Sequence, residues 1–178
     1  SMYLGGIAHE LGHGLGLPHD AGEPMERQFG TSIMGTGNLI YRQEVWGGGK
    51  PVFLTRSSAL RLASHPLVTG SNRGRWDQIN GSFEGLRFST NGKDLKIEGK
   101  VSGDTPAYGV IAYVWSDREP SDHRARTFPG TVKDGTFSVT ITGFKPESHR
   151  LGLTALHVNG GGTRKSFTVE LGASGAPG

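Results

Sequence analysis

The sequence predicts an α+β protein in two parts, a small helical segment followed by an antiparallel β-sandwich. Apolar residues recur at spacings of three and four near the amino terminus, then alternate with polar ones at a period of two from about Gln78. A polar, glycine-containing stretch at 71–77 reads as the linker between the two regimes. The boundaries drawn from these shifts are 1–72 for the helical part and 78–172 for the sandwich.

Residues 3–14 are expected to form a helix, with Tyr3, Leu4, Ile7 and Leu11 as its apolar face. Gly12, Gly14 and Gly16 weaken that helix in isolation, so packing or a bound metal must hold it. Residues 21–51 read as an irregular loop, punctuated by Gly22, Pro24, Gly30, Gly35, Gly37 and the glycines at 47–49. A second helix is expected over 55–64, capped by Thr55, buried through Ala59, Leu60, Leu62 and Ala63, and stopped by Pro66. His65 reads as a residue of that helix end, favoured there by the dipole.

In the second part, Leu95, Ile97 and Val101 alternate with Lys96, Glu98 and Lys100. Phe137, Val139 and Ile141 alternate with Ser138, Thr140 and Thr142, as do Phe167, Val169 and Leu171 with Thr168 and Glu170. The stretch 107–115 is almost continuously hydrophobic, as a strand covered on both faces would be. Asp134-Gly135 is a strong hairpin turn and the run from Asn159 to Gly162 a looser one. The pattern resembles an immunoglobulin or fibronectin type III sandwich. Trp115, His123, Arg124 and Arg126 fall on or after a strand end and read as a solvated loop, with a recognition loop as the alternative. His149 and His157 have no ligand-spaced companion and read as structural.

Composition narrows the classes. The net charge is +3 and the basic residues are scattered, without a nucleic-acid footprint. Cysteine is absent, which excludes disulfides and thiolate ligands. No apolar run approaches the roughly 20 residues of a membrane span. No signal peptide is visible, and Ser1-Met2 reads as the start of a trimmed chain.

The chemistry is concentrated in His9-Glu10-Leu11-Gly12-His13-Gly14-Leu15-Gly16-Leu17-Pro18-His19-Asp20. His9 and His13 are four residues apart, so on a helix their imidazoles leave one face and can grip one ion. Glu10 stands beside them, where a carboxylate can take a proton from metal-activated water. Gly16 permits a sharp exit from the helix, because glycine adopts left-handed torsions without steric cost. The chain can then swing back to deliver His19 as a third ligand. Three ligands leave a fourth position open, the mark of a catalytic and not a closed structural site. Imidazole donors suit Zn2+.

This string resembles the signature of the metzincin zinc endopeptidases. The resemblance implies hydrolysis of peptide bonds with Glu10 as general base, a peptide or protein substrate, and a secreted or extracytoplasmic setting. Thr31-Ser32-Ile33-Met34-Gly35 is similar to the family's methionine turn, which implies that Met34 floors the imidazoles without ligating the metal. The His19-Asp20 ending is similar to that of the adamalysin-like branch, where the acid is structural; a turn cap is the alternative. Some metzincins stabilise the oxyanion with a tyrosine just past the methionine. Tyr41 lies seven residues past Met34, farther than that pattern, and a packed tyrosine is the alternative. Glu23 and Glu26 read as surface carboxylates, with orientation of a ligand histidine as the alternative.

The family also places a twisted sheet ahead of the active-site helix, whereas eight residues precede His9. Residues 1–72 therefore read as the C-terminal portion of a metzincin-like catalytic domain, with the upstream subregion in a longer parent chain or supplied by a partner. The alternative function is an inactive zinc-bearing module whose β-sandwich recognises a protein or glycan.

Overall fold

The computed structural model describes residues 2–70, 74, 77–116, 121–144 and 148–170. Most of the expected linker, together with Leu171, lies outside them.

Helix α1 (Met2–Gly14) carries His9, Glu10 and His13. Its orientation reverses the expectation: Tyr3, Leu4, Ile7 and Leu11 are all exposed, Tyr3 by 79%. The buried stripe is made instead by Gly5, His9 and Gly12. A side chain at Gly5 would collide with the Asn38 carbonyl oxygen and lie 2.6 Å from Tyr41 Cβ. Small residues let two helix backbones approach closely, and here that contact decides which face is buried. Gly5→Leu is accordingly expected to destabilise the fold by roughly 1–3 kcal/mol, the usual cost of overpacking. An unchanged urea midpoint would contradict the close crossing.

The partner in this crossing is α2 (Asn38–Gly47), in the region expected to be irregular. The glycines there bound elements and do not dissolve them: Gly48, at φ 72°, ends α2 in the left-handed conformation. Before α2 come a 3-10 helix (Pro24–Phe29), strand β1 (Thr31–Ser32) and a wide turn at Ile33–Gly37. β1 pairs in parallel with β2 (Val52–Phe53).

Helix α3 (Arg56–Leu62) starts where expected, with the Thr55 side chain accepting from the Ser58 N–H. It buries Ser57 and Ser58, while Ala59 and Ala63 are exposed. Pro66 lies beyond its last turn, with His65 before it extended. Proline is also favoured at the first position of a helix, and Pro66 opens α4 (Pro66–Thr69). His65 caps α4 by accepting from the Leu67 N–H at 3.2 Å.

The second part contains β3 (Gly81–Asn91), β4 (Asp94–Gly103), β5 (Ala107–Ser116), β6 (Arg126–Lys133), β7 (Thr136–Ile141), β8 (Ser148–His157) and β9 (Gly162–Glu170). They form one seven-stranded antiparallel sheet in the order β3-β4-β7-β6-β5-β8-β9. The expected two-sheet sandwich is thus a single sheet folded over. The fold occurs at β6, which pairs with β5 through 126–131 and with β7 through Val132 and Lys133. Phe88 of β3 meets Phe167 of β9 edge-to-face at 5.5 Å, so the sheet nearly closes on itself.

The alternating residues face inward as the period requires. Leu95, Ile97, Phe137, Val139, Ile141, Leu151 and Leu153 share one core with Val110, Ala112, Val114 and Phe128. Asp134 and Gly135 both have positive φ, 51° and 72°, the torsions of a type I′ hairpin. β5 is covered on both faces, its outer side carrying Ile111 and Tyr113 with Leu156 against Leu60 of α3. His157 is fully buried and structural, bonded to the Thr105 carbonyl at 2.7 Å and to Thr163 Oγ1 at 2.9 Å.

The helical and β parts are tied by backbone as well as side chains. Ala21 N–H donates to Ala125 O at 2.8 Å, and the Tyr108 hydroxyl donates to Leu60 O at 2.8 Å. Gly109 leaves room for the Leu60 side chain.

Candidate metal centre

The end of α1 creates the centre. Leu17 N–H bonds to Gly12 O at 3.0 Å and Gly16 N–H to His13 O at 2.8 Å, the paired bonds of a Schellman motif. Gly16 holds φ 81°, the left-handed value that this motif needs. The reversal carries Pro18 and His19 back over the helix.

The three sequence-predicted ligands converge. His13 Nε2 lies 3.1 Å from His9 Nε2 and 3.2 Å from His19 Nε2. His9 Nδ1 donates to Ile33 O at 2.7 Å and His13 Nδ1 to Leu17 O at 2.8 Å. Those bonds place the ring protons on Nδ1 and leave lone pairs on both Nε2 atoms. Lone pairs so close repel unless a cation or proton lies among them. A tetrahedral zinc at about 2.0–2.1 Å from each nitrogen would set them roughly 3.3 Å apart. The donor set, its tautomers and its spacing fit that ion.

Burial depresses the pKa of His19, with the neighbouring His123, His13 and His9 acting in the same direction and Asp122 opposing them. A ligand imidazole must be neutral, and this environment favours that form. Glu10, next to His9 on α1, is exposed.

Met34 is fully buried with Leu17 and Ile33. Its sulfur occupies the space where a Gly12 side chain would be. Gly12 therefore weakens the helix yet seats the methionine between the His9 and His13 turns. Tyr41, on α2, packs against the same Leu17–Ile33–Met34 cluster.

Asp20 is 2% exposed and joins three segments. Its carboxylate accepts from Gly22 N–H at 2.7 Å, Ser58 Oγ at 2.9 Å, and the hydroxyls of Thr55 and Thr127. It thus caps a turn and also bonds α3 to the β part, directly after His19. Glu23 and Glu26, read as surface groups, are buried. Glu26 accepts from Glu23 N–H and Arg56 N–H, both at 2.8 Å, and so caps the start of α3. Glu23 faces Arg56 at 3.3 Å. Its pKa is raised by burial, against the pull of Arg56 and with the push of Glu26. Both carboxylates thus bond Arg56 at the start of α3.

The β part adds a residue that spacing did not reveal. The 3-10 turn Asp122–Arg124 places His123 over His19, with ring centroids 3.8 Å apart. The expected solvated loop is therefore part of the centre. A cavity of about 420 Å³ opens beside His13 and His19, bounded by Arg61, Tyr113, Trp115 and Arg164. Trp115 lies against Gly152, where a Cβ would be 3.1 Å from the indole ring. No single-strand signal could find this wall, which draws on β5, β8, β9 and α3 together.

No protein-family profile matches the chain, and comparison with curated proteins gives no match. Solved structures do resemble it. Catalytically inactive OgpA from Akkermansia muciniphila, in complex with an O-glycopeptide substrate (glycodrosocin), superposes with a TM-score of 0.81 at 26% identity over 95% of this chain. Wild-type OgpA gives the same TM-score at 25% identity. The chain spans 49% of the length of OgpA. Helical part and β-sheet thus recur together in OgpA, whose catalysis and O-glycopeptide substrate mark this chain as similar to part of a glycopeptide-acting enzyme.

Proposed function

We propose that this chain is the metal-binding part of a metzincin-like zinc endopeptidase that hydrolyses peptide bonds in a peptide or glycopeptide. The observation that carries the reading is the convergence of three imidazole nitrogens at 3.1 and 3.2 Å, two of them oriented by backbone carbonyls. Likeness to OgpA supports a glycopeptide as substrate. A secreted or extracytoplasmic setting follows from the family resemblance; among the described residues no helix is long and apolar enough to cross a membrane.

In this reading His9, His13 and His19 hold Zn2+, with Met34 packed beneath. A bound zinc supplies Lewis-acid polarisation of the scissile carbonyl and acidifies water. Glu10 takes the water's proton as attack proceeds and returns it to the leaving amine. Glu10 is exposed, so an upstream catalytic half or a partner would complete the cleft around it. The exposed Tyr3, Leu4, Ile7 and Leu11 stripe is the surface on which that half would rest. Tyr41, packed in the methionine cluster, would serve as oxyanion donor only after leaving that packing.

His13→Ala is the direct test. The wild-type chain is expected to contain near-stoichiometric zinc by elemental analysis, and the variant to lose both zinc and thermal stability, because ion binding stabilises only the folded site. Equal melting temperatures with zinc retained in the variant would reject the ligand assignment.

The cavity beside Trp115 favours a second reading, an inactive zinc-bearing module whose β part recognises a protein or glycan. Activity lost on substitution of Glu10 separates the two.

A further inference from the structure

We infer that His123 is a fourth nitrogen ligand of the same ion, supplied by the β part and closing the coordination sphere in the resting protein. This rests on the zinc reading above. The first support is placement: ligand atoms of His9, His19 and His123 all lie within 4.8 Å of one another.

The second support is preparation. His9 and His13 each direct Nδ1 at a backbone carbonyl, Ile33 O and Leu17 O, which turns Nε2 toward the centre. His123 Nδ1 faces Gly35 O at 3.3 Å, the same arrangement. Such outer bonds fix the tautomer and ring direction of metal-bound histidines. Gly35 belongs to the methionine turn, where a Cβ would stand 3.2 Å from both Asp20 O and His123 O. The turn that seats Met34 therefore also receives His123.

The third support is local geometry. The Asp122–Arg124 turn is short and held by Arg124 N–H to Ser121 O at 2.9 Å and Ala125 N–H to Asp122 O at 3.0 Å. It is anchored next to Ala125, whose carbonyl bonds Ala21 two residues past His19. His123 now leans on His19 at 3.8 Å, closer than the 4.6–5.3 Å between the other three ring centroids. The two rings are tilted by 33°, and a four-nitrogen set requires His123 to turn away from His19 and toward the shared centre.

Four protein ligands give a closed site of structural type. Substrate or water would have to displace His123 before the ion could act, so the β part serves as a latch on the metal. The ion would also cross-link the two parts of the chain.

The test compares wild-type chain, His123→Ala and His123→Phe, loaded with zinc alone. His123→Phe keeps an aromatic ring over His19 without a nitrogen. X-ray absorption is expected to count four imidazoles in the wild type and three in both variants. Chelator competition should show zinc held more weakly in both, by more than the roughly tenfold that loss of an outer-shell partner costs. Three imidazoles in the wild type, or wild-type affinity in His123→Phe, would overturn the latch and leave the three-histidine reading standing. A wild-type chain that binds no zinc would overturn both.

Discussion

Asp20→Ala is expected to lower the unfolding free energy by about 3–5 kcal/mol, because several buried neutral donors lose a charged acceptor at roughly 1–3 kcal/mol each. The carboxylate is 2% exposed and accepts from Gly22, Thr55, Ser58 and Thr127. Removing it strands four donors, each buried beyond the reach of water. For a chain of this size 1 kcal/mol shifts the melting temperature by roughly 2–4 °C, so a fall near 10 °C is expected. The same change should weaken metal binding, because Asp20 fixes the backbone that delivers His19. Asp20→Asn keeps the shape and one acceptor oxygen, and should fall between the two. A melting point for Asp20→Ala within about 2 °C of the wild type would refute the hub.

Glu10→Ala is expected to reduce peptide hydrolysis by about 10²–10⁴-fold, the usual contribution of a positioned general base. The assay uses a longer protein that contains this chain, with glycodrosocin and its sugar-free peptide as substrates. Zinc content should not change, because the exposed Glu10 side chain is outside the proposed ligand set. Loss of hydrolysis with zinc retained separates the endopeptidase reading from the binding-module reading. Cleavage within about twofold of wild type would remove Glu10 from the mechanism.

The two expected outcomes probe different layers of the same site. Glu10 concerns the bond-breaking step, whereas Asp20 concerns the scaffold that presents the third histidine. Zinc loss in Glu10→Ala would show that the layers are not separable.

Much of the fold was legible from local pattern. The period-two alternation in 95–101 and 137–142 corresponds to β4 and β7, because side chains on a strand alternate faces whatever the partner. The hairpin at Asp134-Gly135 follows from torsions that few other pairs adopt. Helix α2 was hidden by the glycines at both ends, which act as boundaries only once neighbours such as Gly5 define what they bound. The folding-over of the sheet at β6 was equally invisible, since the choice of β5 or β7 as partner along one strand is made by distant residues.

The sequence by itself determined the meeting of His9, His13 and His19, because helical rise and a left-handed glycine are local properties that leave the chain few alternatives. It likewise determined the capping of α3 by Thr55 and the inward faces of β4 and β7. Only the tertiary structure decided which side of α1 is buried, because a stripe of apolar residues competes with a stripe of glycines that admits closer helix contact. It alone brought Glu26 to the start of α3, Trp115 to the cavity wall and His123 to the imidazoles. These placements join residues far apart in the chain through packing of the sheet on α3, and no spacing rule encodes contacts of that range.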